Sequence, residues 1–424
     1  MTGRALPAIV TLVLAWFAAG FASAAYALHP KPFIHGPTDL GSTPAVIPIG
    51  GLNGFSHILP VDHAMIAYPD PANGGMDEFL VYAMGDGELV MVLRETSDDI
   101  PDPDYELYVR HSFHLTSQYA HMYSVTPGLQ AYLDSVPGAW IEFGDTAFLF
   151  PGQLGASEPL TITAGEVLGT TKSYGHAWDV GVIDSRQRSG RFANPERYPD
   201  LELLEILGVE LEHPPFRGSR TLNAACFLDY MPEPLRQQWA ALLASVPPAC
   251  GRAGWDLPLR LRGAWFNPDI DAAPPEALFE LEQAAVSIVP WNLAPDTHVN
   301  IAIGHGSDFS AFDPDDNLDS IHEDFVVAID PDPAAVVNPD PASVSFQTGT
   351  VCYDLRFDVG GMVGYHALFL RLQPPAGLDW LLQLLLGQNP QQLDMQLVSD
   401  NFVSPACETL MLSPPENYPV SYIR

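Results

Sequence analysis

Lysine is almost absent from this chain. Of 424 residues only Lys31 and Lys172 are lysine, and lysine plus arginine number 18 against 52 aspartates and glutamates, a formal net charge of -34. A surface this acidic repels nucleic acid and anionic membranes and favours cations as partners. Cysteine is scarce as well. There are four, none in C-x-x-C spacing, which argues against a thiolate zinc site and against dithiol redox chemistry. No G-x-S-x-G motif occurs, so a serine nucleophile elbow is not indicated. No repeat recurs at solenoid periods.

Long apolar runs are missing except at the N-terminus. There Arg4 precedes ALPAIVTLVLAWFAA, and the small residues of ASAAYA follow. This is the three-part layout of a secretory signal, residues 1–27, with cleavage expected near Ala24 to Ala27. The run is short for a membrane span, so no span is expected once it is removed. Loss of Arg4 leaves 17 basic and 52 acidic residues, a net charge of -35. The expected location is periplasmic or extracellular. In an oxidising compartment the four cysteines are expected to form two disulfides. Chain order favours the local pairs Cys226–Cys250 and Cys352–Cys407, with two other pairings open.

With 47% hydrophobic and 17% charged residues the chain is expected to fold, and its length suggests more than one domain. From residue 28 to about 195, short runs such as FLVYAM, ELVMVLRE, YELYVRHSF and AWDVGVID are rich in β-branched and aromatic residues, with Gly, Pro and Asp between them. They predict strands and no helix before Ile183. From 196 to about 335 the texture is mixed. PDLELLEIL, EPLRQQWAALLASV and PPEALFELEQAAV have helical spacing, whereas LPLRLRGAWF and HVNIAIG read as strands. The Pro- and Asp-rich stretch from Asp330 to Ser343 reads as a connection. Residues 336–424 predict strands and one helix, LDWLLQLLLG. The expected class is mainly β, α+β overall.

Four segments of the first region carry chemistry-bearing residues. GFSHILPVDHAMIAY holds His57, Asp62 and His63; VYAMGDGELVMV follows; YAHMYSV holds His121; and ITAGEVLGTTKSYGHAWDVGVID holds His176, Asp179 and Asp184. In this order they resemble the lysostaphin/LytM-type zinc endopeptidases, in which a His-x3-Asp pair, a "vyA-x-x-dG-x-V" strand, a "YaHLs" segment, "v-x-x-G-x-x-iG" and a His-x-His motif succeed one another. The resemblance spans about Gly51 to Asp184. It implies a curled antiparallel sheet of the duplicated hybrid motif type with a groove. It further implies a zinc held by the His and Asp of the first motif and by the second His of His-x-His, with an open position for water. By the resemblance His121 and His176 occupy the two catalytic His positions. Trp178 stands where the third ligand belongs, and an indole cannot bind zinc. His57 and Asp62 are separated by four residues, not three.

Two readings follow. In the first, the domain is a non-catalytic pseudo-peptidase that binds peptidoglycan or a peptide in the ancestral groove, with no cofactor. In the second, a divergent zinc endopeptidase uses a rearranged set drawn from His57, Asp62, His63 and Asp179, with His121 and His176 as catalytic groups. A third reading, from another class, is a calcium-dependent surface protein. Asp313, Asp315, Asn317, Asp319 and Asp324 have the oxygen spacing of a calcium loop, but the sixth position is Leu318 rather than Gly and the twelfth is Asp rather than Glu. That segment therefore reads first as a solvated acidic loop. His111 and His114 are expected to make ordinary hydrogen bonds.

Overall fold

The structure is a computed structural model. It describes residues 31–42, 45–52, 57–68, 78–96, 104–136, 140–143, 146–153, 159–172, 177–198, 211, 214–246, 249–266, 285–304, 322–328, 338–345, 347–359, 362–373, 392–402, 407 and 420–423. The expected signal segment lies outside these residues. Among the described residues no helix is long and apolar enough to cross a membrane.

The chain is mainly β, in several antiparallel sheets, none closed. Its first half supplies β1 (Ala45–Ile47), β2 (His63–Ala67), β3 (Glu78–Tyr82), β4 (Gly87–Glu95), β5 (Asp104–Arg110), β6 (Leu115–Met122), β7 (Ser124–Val125), β8 (Trp140–Phe143), β9 (Thr146–Leu149), β10 (Leu160–Ile162), β11 (Val167–Lys172), β12 (Ala177–Asp184) and β13 (Gly190–Arg191). The second half supplies β14 (Gly254–Trp255), β15 (Gly263–Phe266), β16 (Ala285–Pro290), β17 (His298–Gly304), β18 (His322–Ala328), β19 (Thr350–Val359), β20 (Met362–Leu372), β21 (Gln392–Phe402) and β22 (Val420–Ile423). A nine-stranded sheet runs β1-β2-β12-β6-β5-β4-β9-β8, with β10 also on β4. A three-stranded sheet runs β3-β11-β7, and an eight-stranded sheet runs β18-β17-β16-β15-β22-β21-β20-β19.

Alternation along β12 sets the plan of the first sheet. Trp178, Val180 and Val182 face the main core with Ala64 and Ile66 of β2, while Asp179 and Gly181 face the other way. The same core takes in Ala225, Cys226, Phe227, Leu228, Tyr230, Met231 and Trp239, so chain beyond residue 195 completes it. The cysteine pairs Cys226–Cys250 and Cys352–Cys407 stand at disulfide distance, with Cα–Cα separations of 5.7 and 5.6 Å, and no described cysteine is free.

Three expectations change. The first region does contain a helix, α1 (Pro127–Asp134): Thr126 caps it, Pro opens it, and Leu129 and Leu133 bury one face. The helix expected from EPLRQQWAALLASV is the short α2 (Leu235–Ala240), because the chain then turns to bond β1, with Val46 N–H donating to Leu242 O and Ala244 N–H to Val46 O. The last residues of PPEALFELEQAAV, Ala285 and Val286, open the buried strand β16 rather than end a helix. The run AVSIVP is buried throughout, and β-branched residues favour that state. The segments PDLELLEIL and LDWLLQLLLG lie outside the described residues.

Candidate functional site

On the face of the first sheet opposite the main core, neighbouring strands bring several polar side chains around a cavity of about 210 Å³. His63 opens β2, and its register partner is Gly181. A Cβ at 181 would lie 2.3 Å from Gln118 Oε1, so a larger residue there would displace the end of that side chain. Asp179 lies two residues before Gly181 on the same face, opposite Met65 and Ala120. From β5 come Asp104 and Glu106, from β4 Glu95 and from β9 Thr146.

His121 reaches this face through an irregularity. Tyr105 pairs with Met122, yet Leu107 pairs with Tyr119, so β6 carries one residue more than β5 across that interval. Tyr119 and Met122, three apart, both enter the core. The extra residue is accommodated at His121, whose φ is +60°. A non-glycine residue seldom adopts that conformation, and such bulges redirect a side chain next to functional sites. Without the bulge, His121 would face away from Ala120 and Asp179.

The side chains form one chain of contacts. Asp62 Oδ1 lies 2.9 Å from His63 Nδ1, and His63 Nε2 lies 3.1 Å from Asp179 Oδ2. The same Asp179 oxygen is 3.2 Å from His121 Nε2, and His121 Nδ1 is 2.7 Å from Asp104 Oδ2. Each imidazole thus sits between two carboxylates. The far end is anchored by residues distant in the chain. Arg220 Nε donates to Asp62 Oδ2 at 2.9 Å, Thr221 Oγ1 donates to the same oxygen at 3.1 Å, and Arg220 Nη1 lies 3.7 Å from Glu106 Oε1. Glu106 also accepts from Tyr108 OH and Gln118 Nε2. His63 Nε2 is buried and has no hydrogen-bond partner, because its N–H direction misses the nearby Asp179 oxygen.

Burial works to raise the pKa of Asp62, but Arg220, the His63 imidazole and Thr221 outweigh it and hold the carboxyl well below its usual range. Burial likewise pushes Asp179 up and is outweighed by His63, His121 and His57, so Asp179 is lowered. For His63 burial lowers the pKa, yet Asp179 and Asp62 prevail over it and over the opposing charge of Arg220, and the value is raised. Desolvation also opposes the charged form of His121, but Asp104 and Asp179 raise it well above the ordinary imidazole value. Its ring is 59% exposed, which shields this pairing from full strength. The arrangement is a row of alternating imidazole and carboxylate groups, with the carboxylates favouring the protonated imidazoles, and it presents polar groups to an occupant.

Of the candidates read from sequence, Asp62, His63, His121 and Asp179 come together here, and His57 lines the same cavity with its ring 5.7 Å from that of His63. His176 lies outside the described residues, as do Asp313, Asp315, Asn317 and Asp319. Asp324 falls within β18, with its register partner Ala302. Trp178 does not face the groove. Its side chain is fully buried in the core, and Nε1–H donates to Tyr68 OH at 2.9 Å. Tyr68 OH donates in turn to Thr38 Oγ1, which donates to Leu80 O. Asp184 is a structural group: it accepts from Arg186 and from Tyr230 OH. His111 bonds Asp86 O and Ser117 Oγ, and burial lowers its pKa to about 4, while His114 bonds Ser185 Oγ. Asp104, Glu106, Arg220 and Thr221 were not legible as site residues. Asp104 and Glu106 carry the alternation of a strand, which was a usable signal; Arg220 and Thr221 carried none.

The zinc set implied by the resemblance does not assemble from the described residues. Asp62 is committed to His63, Arg220 and Thr221, Trp178 is in the core, and among the described residues no three His, Cys, Asp or Glu groups are already spaced to hold an ion. Comparison with known proteins finds no matching family model and no matching curated protein.

Proposed function

We propose that the chain is an exported, non-catalytic module whose LytM-like domain binds a peptide, of the kind peptidoglycan carries, in its groove. The observation that carries this reading is the contact chain Asp62–His63–Asp179–His121–Asp104. Hydrolysis through a metal needs imidazoles free of protons and an open position for water. Here the carboxylates on either side raise the pKa of both imidazoles, which favours the protonated form over the neutral form that a metal needs. Strand geometry supports the loss of the metal set. On β2 the residue four after His63, on the same face, is Ala67, and its register partner on β12 is Ala177. If the groove-facing His-x-His positions are 177 and 179, they hold Ala and Asp, and alanine cannot ligate. The acidic lining, with Glu95 and Glu106 beside Asp179, suits a ligand that carries an amine.

One observation favours a second reading, a metal on a rearranged set. His63 Nε2 is buried without a hydrogen bond, and Asp62 and Asp104 stand behind the two imidazoles as outer carboxylates do behind metal-bound histidines. Metal analysis of the purified protein, with peptidoglycan sedimentation and digestion on wild type and His121→Ala, separates the two. The first reading expects no bound metal, no digestion and sedimentation that weakens in the variant. Stoichiometric metal, or digestion lost in His121→Ala, replaces it with the second.

A further inference from the structure

At about 210 Å³ the cavity on the first sheet is small. Sites that take a whole small molecule run to about 300–1,000 Å³, so this one admits an end group or one side chain rather than a length of peptide. Strand register sets its walls. Glu95 of β4 is opposite Asp104 on β5 and opposite Thr146 on β9, so the three stand in one row. Two residues back along β4, on the same face, Leu93 is opposite Glu106. Ala120 of β6 is opposite Asp179 of β12. All of these line the cavity, and Leu93 and Ala120 are apolar patches in a wall made mainly of acceptors.

One of those acceptors is buried and unmet. Gln118 of β6, opposite Gly181, also lines the cavity and is 3% exposed. Its Nε2–H donates to Glu106 Oε1, which fixes the orientation of the amide. Its Oε1 then has no hydrogen-bond partner. A buried acceptor without a donor is costly, and an occupant that donates to it removes the cost. The terminal torsion of glutamine has a broad minimum, so the carbonyl can tilt toward an entering donor. The carboxylates nearby keep capacity as well. His63 and His121 both meet Asp179 at Oδ2, and His121 meets Asp104 at Oδ2, so these contacts leave Oδ1 of both acids to an occupant. The cations of the lining are already engaged, Arg220 with Asp62 and Glu106, and His121 with Asp104 and Asp179.

We propose that the cavity anchors the ammonium group of a lysine-like side chain. A primary ammonium carries three donors on one compact centre and no acceptor. It matches acceptors that converge from separate strands, Asp104 on β5, Gln118 on β6 and Asp179 on β12. A guanidinium instead prefers two oxygens in one plane. The aliphatic stem packs on Leu93 and Ala120. Glu95 is exposed and attracts the charge at the rim. An acylated amine offers one donor and no charge, and is rejected. This inference rests on the reading of the groove as a peptide-binding site and names the part of the peptide that it holds.

The test is calorimetric titration of the full exported chain, after treatment with chelator, with Nα-acetyl-lysine amide, its Nε-acetylated form and Nα-acetyl-arginine amide. Saturable binding of the first is expected, with affinity at least tenfold lower for the other two. It should weaken at least tenfold in Gln118→Met and at least threefold in Glu95→Gln, and stay unchanged in Glu233→Gln, whose side chain pairs with Arg236 elsewhere. Retained melting temperatures show that the variants fold, and the exposed Glu95→Gln serves if Gln118→Met does not. Binding that never saturates, that the acetylated or arginine compound matches, or that survives both substitutions overturns the proposal. Sedimentation with peptidoglycan before and after acetylation of its amines separates this proposal from the reading beneath it. Sedimentation weakened by acetylation is expected. If acetylation leaves it unchanged while His121→Ala abolishes it, the ammonium anchor fails and the groove reading stands. If neither preparation carries the protein down, the groove reading fails, and the lysine titration still decides the anchor.

Discussion

Substituting Trp178 by His would complete the His-x-His spelling with His176, and the structure foretells that this damages the fold without creating a ligand. The indole is fully buried between β2 and the core, and its Nε1–H bonds Tyr68 OH at 2.9 Å. Replacing a large buried aromatic by a small residue costs about 3–5 kcal/mol. Imidazole refills part of that volume but brings a second nitrogen with no partner in the core, a cost of about 1–3 kcal/mol. The net loss is therefore expected near 3–5 kcal/mol, against a total stability of about 5–15 kcal/mol for a folded domain. For a cooperative unit of 150–250 residues each kcal/mol moves the melting temperature by about 2–4 °C, so a fall of roughly 6–20 °C is expected. Trp178→Phe keeps most of the ring and leaves Tyr68 its bond to Thr38, and should lose about 1–2 kcal/mol. The assay is thermal melting of the three proteins with and without zinc. Zinc that bound only the native state of Trp178→His would raise its melting temperature. That result, or wild-type stability in the variant, would refute the argument. It would mean that position 178 faces the groove and that the register of β12 is displaced by one residue, since a single slip turns every side chain to the other face.

Other consequences are open to measurement. The raised pKa of His63 contributes stability that is complete below about pH 6.5 and fades as pH rises through the folded value, while the lowered Asp62 and Asp179 contribute stability present above about pH 3.9 and lost as pH falls through their folded values. Denaturant titrations from pH 5 to 9 should therefore show a decline on the alkaline side that is reduced in His63→Gln; an identical decline in the variant would remove His63 from the account. Arg220→Ala leaves Asp62 buried with one cation fewer. A fully buried broken pair costs about 3–5 kcal/mol, and because the Arg220 side chain is 37% exposed a loss of about 1–3 kcal/mol is expected by chemical denaturation. The double change Cys226→Ala/Cys250→Ala opens a loop with a sequence separation of 24 and should cost about 3 kcal/mol, and opening the 55-residue separation of Cys352 and Cys407 about 4 kcal/mol, both read as reduced midpoints in urea. His121→Gly accepts the φ of +60° but takes a partner from Asp179, so its loss in chemical denaturation should be smaller than that of His121→Val, which adds about 1–3 kcal/mol of backbone strain to the same lost contact.

What could be read from the sequence followed a simple periodicity. Runs such as AWDVGVID and HVNIAIG carry a two-residue alternation or a buried β-branched core, and both are strands. The two local cysteine pairs were legible because chain order brought them close. The helix from Pro127 was missed although Thr126 and Pro127 spell its start, since the run of strands around it dominated the reading. Helical spacing in PPEALFELEQAAV concealed the strand that begins at Ala285, whose burial on both faces removes any alternation. The site itself suffered from one added residue. A match by spelling puts Trp178 in the groove, but spelling does not register which face a strand position occupies. Asp179, one place on, is the residue that meets His63 and His121.

The remaining gap is one of distance along the chain. Arg220 and Thr221, which with His63 hold the buried Asp62 carboxyl below its usual range, lie 158 and 159 residues away. The segment that carries His57 and Asp62 is also tied to the second sheet. Leu52, Ile58 and Leu59 pack with Ala264, Phe266, Ala285, Val289 and Ala302. Asn292 Nδ2 donates to Pro48 O, and Asn300 Nδ2 to Leu52 O. The packing of Ile58 and Leu59 into that apolar cluster holds the residues just before Asp62. The first sheet alone therefore does not make the groove. Four of its nine strands, β2, β12, β6 and β5, supply His63, Asp179, His121 and Asp104, and residues from elsewhere in the chain hold the carboxylate that orients His63.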